Sequence, residues 1–224
     1  TSRAGDYTNL FPATALTVSP SDPVDVEANA NYTANLHAGI QINNALAVFG
    51  EYHQFLLTTD SDIFSPNTAK LSQIAAYHFD INSEPFMIGT NVGFMGATDK
   101  ESRLYEMTNI FREGQTDVAE RSKLVYKTFT KDYSIVESSR ESGLVIMGKK
   151  GSDTIWLYKY FKENSQTDVQ QAWFKWTTPD PIAFQFMSKE THYAVVYNSD
   201  GLRILKQEKR SGVYLDEGKR YELK

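Results

Sequence analysis

Five carboxylates, Glu51, Asp99, Glu106, Glu137 and Glu163, stand in or beside strand-like stretches of the sequence. Two such groups converging on one pocket, roughly 5 to 9 Å apart, would equip a glycoside hydrolase, one protonating the leaving oxygen while the other serves as base or nucleophile. Spacing singles out no pair, and most of the five fall at turns or polar strand ends. A carboxylate without an organising motif is ordinarily solvated surface. The four histidines, His37, His53, His78 and His192, are scattered, with no pair at a zinc-ligand spacing. Asp60 and Asp62 in "TTDSDIF" form the kind of doublet that sometimes holds calcium, but the further acidic ligands and the Gly of an EF-hand loop are missing. That favours a solvated turn. G-x-S-x-G, Walker A and G-x-G-x-x-G elements do not occur. The expectation is a chain that is not an enzyme, with no catalytic residue, cofactor or metal.

The most aromatic stretch is "QQAWFKWTTPDP", Gln170 to Pro181. On a strand, Trp173 points away from Phe174 and Trp176, so each face of the sheet carries a ring. Two exposed indoles would make a platform for stacking sugars; burial between sheets is the expectation for both. "GSDTIW", Gly151 to Trp156, is similar to the Asp-box of sialidase propellers, but it lacks the Gly between Asp and Thr, and such a box is a structural turn in any case.

The elements that must position these residues are strands. Hydrophobic residues make up 41% of the 224, enough to bury a large core in one large domain or two small ones. Formal charge is −5, from 28 acidic and 23 basic side chains, and the longest basic cluster, Lys206 to Arg210, is interrupted by Glu208. This balance argues against a surface that grips nucleic acid by neutralising phosphates. The absence of cysteine excludes disulfides, thiolate zinc sites and thiol nucleophiles. No apolar run approaches the ~20 residues of a membrane-spanning helix, so no membrane insertion is expected. The N-terminus lacks both the order of a secretion signal and an initiator methionine, which leads us to expect a piece of a longer protein.

One pattern recurs. "NNALAVFGEYHQFLLTTD" from Asn43, "NVGFMGATDKESRLYEM" from Asn91, "GLVIMGKKGSDTIWLYKYF" from Gly143 and "YAVVYNSDGLRILKQ" from Tyr193 share one plan. In each, a strand with apolar residues at i and i+2 ends at Gly50, Gly96, Gly148 or Asn198, residue types suited to turns, and a second strand follows. The intervening positions are often apolar too, so both faces of each sheet are expected to be covered. These anchors lie 46, 52 and 50 residues apart. A period near ~50 residues, each unit a small antiparallel sheet, is that of β-propeller blades; a β-sandwich with similar hairpins is the alternative. Further strands are expected at 70–79, 86–88, 134–138, 172–177 and 182–187.

The fold expected is thus all-β and β-propeller-like, with about four antiparallel hairpin or blade units near 45–58, 91–107, 143–161 and 193–207 within a body spanning 36–209. In a chain of this length the propeller would be incomplete or closed by its own arm. Residues 1–35 carry turn signals and read as an extended N-terminal arm. An insertion at 110–130 lacks strand alternation, and within it Asp117, Ala119, Glu120 and Lys123 suit the start of a short helix with Leu124 facing inward. Residues 210–224 read as a tail or a truncated continuation.

The succession of "SRAGDYTNLFPATALTVSPSDPVDVEA" (Ser2 to Ala28), "LAVFGEYHQFLLTTD" (Leu46 to Asp60) and "LYKYFKENSQTDVQQAWFKWT" (Leu157 to Thr177) resembles the tail tubular protein B, or nozzle protein, family of T7-like short-tailed bacteriophages. That family has an S-R-x-G-D-[FY]-x-N-[FL]-F-P start, a D-P-[IV]-D-V step, an L-[LV]-F…Q-F-[VL]-L-[ST] hairpin and a Y-K-[YF]…Q-x-[AS]-W-x-[KRH]-W strand pair. The likeness is collinear over nearly the whole chain and fades after Lys209. A His-Val-Pro step frequent in the family is absent from "SKLVYKTFTKD", Ser122 to Asp132, which puts the packing of that loop in doubt.

The resemblance implies a structural virion protein of the distal tail, a homo-oligomer forming a hexameric ring of β-propeller-bearing subunits. Such a ring docks the tail adaptor protein and the tail fibres and encloses the conduit through which genomic DNA leaves without specific binding. A net acidic chain suits a wall that DNA passes without sticking. The reading from another class is a propeller glycan hydrolase or lectin acting on host-surface polysaccharide. Sequence assigns no number to residues of the DNA lumen or of a subunit interface.

Overall fold

A computed structural model describes residues 1–11, 17–26, 35–111, 116–162 and 168–207, together with the backbone of two short strands near the C-terminus. The chain is all-β. The first sheet joins β1 (Leu36–Ile42), β2 (Ala45–Gly50), β3 (Gln54–Thr59) and β4 (Ala69–Ala75). The second joins β5 (Phe86–Ile88), β6 (Asn91–Ala97), β7 (Ser102–Thr108) and β8 (Asp117–Glu120), and the third β9 (Ile135–Ser139), β10 (Leu144–Gly148), β11 (Thr154–Lys162) and β12 (Asp168–Thr177). The fourth has β13 (Ile182–Ser188), β14 (Thr191–Asn198) and β15 (Gly201–Lys206), and β16 (Val213–Asp216) pairs with β17 (Lys219–Glu222) alone. Each of the four larger sheets is an antiparallel meander in chain order. The four expected hairpins are β2–β3, β6–β7, β10–β11 and β14–β15, so each recurrent sequence unit supplies the second and third strands of its own sheet. A two-sheet sandwich would have needed these hairpins to pair edge to edge; they lie in four separate sheets.

Alternation along each hairpin decides what packs on what. Ala45, Ala47 and Phe49 project from one face of β2, and Leu56, opposite Ala47 on β3, joins them against Val92, Phe94 and Met107 of the second sheet. The other face of the second sheet, Phe86, Ile88, Met95 and Leu104, meets Val145, Met147 and Tyr158 of the third. Leu144, Ile146 and Leu157, on the far face of the third, meet Ile182, Ala194 and Val196 of the fourth. Three apolar cores therefore join sheet one to two, two to three and three to four. Strands apolar on both faces are those buried on both, which is why the hairpins of the two inner sheets read as nearly continuous hydrophobic runs.

Two expectations need correction. The segment read as a helix start at Asp117 to Lys123 is strand β8, which pairs with β7 from Tyr105↔Glu120 to Thr108↔Asp117 and packs Val118 on the first core. Pairing with a preformed edge overrides a weak local preference. Leu124 does not face inward; it is 91% exposed, in a turn that leads into a single 3-10 turn at Tyr126–Thr128. Trp173 and Trp176 are half-buried rather than largely buried, because β12 is the edge strand of its sheet. Their faces are as expected: Trp173 joins the core with the second sheet, and Trp176 the core with the fourth.

The turn between β9 and β10 depends on Gly143, whose φ of 54° is left-handed and whose carbonyl oxygen accepts from Tyr160 N at 2.8 Å. A Cβ there would stand 2.3 Å from the Tyr160 carbonyl oxygen. Gly143→Ala should lower stability by about 2 kcal/mol, from the left-handed penalty plus displacement of β11. Chemical denaturation of the two proteins measures it, and equal midpoints would refute the close-approach account.

Candidate assembly surfaces

The residues singled out for chemistry do not converge. Glu51 lies at the β2–β3 turn, 3.9 Å from His78, whose ring stacks on Tyr52. Asp99 is exposed in the β6–β7 turn. Glu106 is fully buried between sheets two and three, where Asn91 Nδ2 and Arg121 Nε each donate to it at 2.6 Å and Lys162 pairs with it. Glu137 faces the fourth sheet from β9; burial foremost raises its pKa, against a lowering hydrogen bond from the Met187 backbone. Glu163 lies outside the described residues. His37 is exposed, His53 is half-buried beside Phe55, His192 is buried next to Trp176, and no group of three metal-ligating side chains occurs among the described residues. Asp60 and Asp62 are exposed on a loop whose polar groups serve its own turns, as where the Thr68 hydroxyl donates to Ile63 O at 2.8 Å. "GSDTIW" is a turn that ties β11 to the next sheet, through Gly151 N to Ile182 O and Ile182 N to Ser152 O, both 2.8 Å.

One end of the sheets is tied together by equivalent turns, each joining a sheet's first strand to its second. Arg140, in the β9–β10 turn, donates from Nε to Gly89 O of the β5–β6 turn at 2.6 Å. Ser139, the last residue of β9, and Ser142 of the β9–β10 turn donate to Glu190 in the β13–β14 turn. Lys189 and Glu190 both have positive φ, the two-residue turn whose twist matches the flanking strands. The β1–β2 turn joins the series through a cleft of about 660 Å3 lined by Asn43, Thr90 and Arg140 among others. The corresponding turns of sheets two, three and four thus meet at one end, and that of the first sheet lines a cleft with those of sheets two and three.

The far face of the fourth sheet is open. Phe184 and Phe186 on β13 lie on the side opposite Ile182 and Gln185, with Tyr193 and Tyr197 of β14 and Leu202 and Ile204 of β15. Leu202 is 70% and Ile204 66% exposed, and Phe184 and Tyr197 are exposed as well. Phe186 and Tyr193 stack within this face, centroids 5.1 Å apart. The equivalent side of the first three sheets receives the next sheet. The outward side of the first sheet is more closed, since Phe55 at its centre is fully buried.

The N-terminal residues form a hydrogen-bonded loop. Gly5, with φ 80°, makes the turn that closes with Asp6 N to Arg3 O at 3.0 Å. Asp6 Oδ1 caps a second turn by accepting from Thr8 N and Oγ1, and Asn9 Oδ1 accepts from Phe11 N. Ala4 N to Ser21 O and Thr1 N to Val24 O fasten the loop to residues 19–24. Tyr7 and Phe11, 89% and 84% exposed, point to solvent together with Leu10. Sequence reasoning assigned none of these surface residues. The Leu202/Ile204 alternation was visible, but it is the alternation of any strand with one apolar face.

Comparison with known proteins gives two findings. The sequence model of the bacteriophage nozzle protein family matches residues 1–224. The tail tubular protein gp12 of Escherichia phage T7 is 24% identical to the chain over 177 residues, which are 78% of this chain and 22% of that protein. The match thus spans about a fifth of that relative's length.

Proposed function

The chain belongs to the bacteriophage nozzle protein family, and from that premise we propose that it is a structural, non-enzymatic component of the distal tail of a short-tailed phage virion. The observation that carries this reading is the family match over residues 1–224, seconded by the relative whose name is tail tubular protein. The sheets support a propeller-like body: four consecutive meanders, each packed on the next, with equivalent turns meeting at one end, are what blades around a common axis require. Residues 1–35 act as its arm and 36–209 as the blades, with β8 inside 110–130 completing the second of them. The protein to which the chain contributes forms a hexameric ring that docks the tail adaptor and fibres and lets DNA pass. A net charge of −5 favours passage over retention.

The separate environments of Glu51, Asp99, Glu106 and Glu137 lend the hydrolase reading no support. The reading is tested on virions: an antibody raised against the chain should decorate the distal tail in electron micrographs. Label confined to the capsid, or turnover of host polysaccharide by the purified protein, would refute it.

A further inference from the structure

We propose that the cleft between the first three sheets binds a phosphate monoester, with Arg140 as its anchor. The cleft, of about 660 Å3, opens between the first strands of these sheets and the turns that follow them, and its size falls within the roughly 300 to 1,000 Å3 of small-molecule sites. Ile42 and Met87 supply its apolar part, and no carboxylate belongs to its lining. Polar side chains enter it from all three sheets: Asn43 from the first, Thr90 from the second, Ser138 and Arg140 from the third. Arg140 is fixed by a backbone clasp. Its Nε donates to Gly89 O at 2.6 Å, and Gly89, with φ 64°, is held in turn because its N–H donates to the hydroxyl of buried Tyr160 at 2.9 Å. The guanidinium is thereby left with its Nη pair, the end that takes two oxygens at once.

The donors of this cleft are unused. Neither Nη of Arg140 has an acceptor among the described residues, and the side chains of Asn43, Thr90 and Ser138 have no hydrogen-bond partner there either. Close by, hydroxyl and carboxylate satisfy each other, as Ser139 and Ser142 do with Glu190. Three carboxylates share the neighbourhood: Glu190, engaged by those two serines, Glu141, exposed next to Arg140 in the chain, and Glu137, on the face of β9 toward the fourth sheet. None of the three lines the cleft, and none pairs with Arg140. A held cation ringed by neutral donors calls for an oxyanion. A planar carboxylate would fill the Nη pair and leave the donors of the first two sheets unmet, whereas a tetrahedral phosphate has oxygens for all three. The space that remains takes the body to which the phosphate is esterified. Because these donors are already in water before binding, the affinity is modest, with a Kd of about 0.1 to 1 mM.

Calorimetric titration of the chain with ribose 5-phosphate, inorganic phosphate, ribose and acetate, at about 0.15 M salt, tests this. Ribose 5-phosphate should bind, inorganic phosphate about threefold to tenfold more weakly, and ribose and acetate not measurably up to about 10 mM. Arg140→Gln should weaken the ester about tenfold or more, and so should Arg140→Lys, which keeps the charge but not the fork. Arg140 also ties two turns together, so a second pair of variants leaves that tie intact: Thr90→Val and Ser138→Ala should each cost about threefold to fivefold, with unfolding midpoints at the wild-type value. Glu141→Gln should tighten binding by about twofold, through loss of a nearby negative charge. Absence of binding up to about 10 mM would overturn the proposal. So would an affinity that Arg140→Gln leaves unchanged, or acetate bound as tightly as the ester. Equal affinities for the ester and for inorganic phosphate would overturn its assignment to an ester.

Discussion

Glu106→Ala should lower the stability of the fold by about 3 to 5 kcal/mol, a loss of roughly 6 to 20 °C in melting temperature for a chain of this size. Glu106 projects from β7 toward the third sheet because it follows Ser102 and Leu104 on the buried side of the strand. Its carboxylate is wholly out of water, with Arg121 Nε on one oxygen and Asn91 Nδ2 and Lys162 Nζ on the other. Lys162 comes from β11, so this single carboxylate is a polar seam between sheets two and three, beside the core of Ile88, Met95, Tyr158 and Tyr160. Removing it takes from Arg121 and Lys162 a carboxylate that they share in a place that excludes water, and breaking a buried ion pair from one side costs far more than the pair contributes when whole. Glu106→Gln keeps the shape and the bond to Asn91 and should fall between the two. Lys162→Met leaves the carboxylate with Arg121 and should cost less than Glu106→Ala. Equilibrium denaturation of the three variants gives the order; a Glu106→Ala loss below about 1 kcal/mol would mean that the seam carries no stability.

The same residue marks where sequence reading stops. The four hairpins were legible because apolar alternation and a Gly or Asn at the turn are local signals, and each survives intact as the central pair of a sheet. Glu106 read as a solvated strand end, since its type is far commoner outside than inside; only the packing of a second sheet over β7 reveals that its face is inner. Strand β8 was missed for a related reason. Four residues with one β-branched side chain carry little preference of their own, and the pairing that makes them a strand is supplied by β7. For β12, alternation assigned Trp173 and Trp176 to their faces, but depth of burial depends on how far neighbouring sheets extend beyond an edge strand. The open face is the extreme case. Leu202 and Ile204 alternate as buried strand residues do, and their exposure follows from β15 lying in the last of the stacked sheets.

Acid should weaken the contact between sheets three and four through His192, by roughly 3 kcal/mol between neutrality and pH 4. The ring is buried beside Trp176, and Gln185 fixes its tautomer. Gln185 Nε2 donates to Ile135 O at 2.8 Å and Ile146 O at 3.2 Å, so its Oε1 is left to accept, and His192 Nε2, 3.2 Å away, must carry the proton. The neutral imidazole thus completes a chain of hydrogen bonds that spans the two sheets. Burial lowers its pKa from 6.5 to about 4. Above pH 6.5 both folded and unfolded chains hold it neutral, and it contributes no pH dependence. Between 6.5 and about 4 the unfolded chain takes up a proton that the folded chain refuses, so stability falls as pH falls, at about 1.4 kcal/mol per unit. Glu137, on the face of β9 that looks toward the same sheet, works in the other direction: its pKa is raised by burial, so protonation in the folded state adds stability as pH drops. The histidine contribution is isolated by comparison with His192→Gln, which retains a donor for Gln185 but cannot titrate. Denaturation midpoints of the two proteins at about pH 7.5, 6, 5 and 4.5 should diverge in slope, with the wild type steeper. Parallel curves would mean that the ring is charged in the folded state or that water reaches it. Because the third core is what holds the open-faced fourth sheet to the rest of the chain, the same series should show that sheet loosening first, as early loss of amide-exchange protection at Ala194 and Val196.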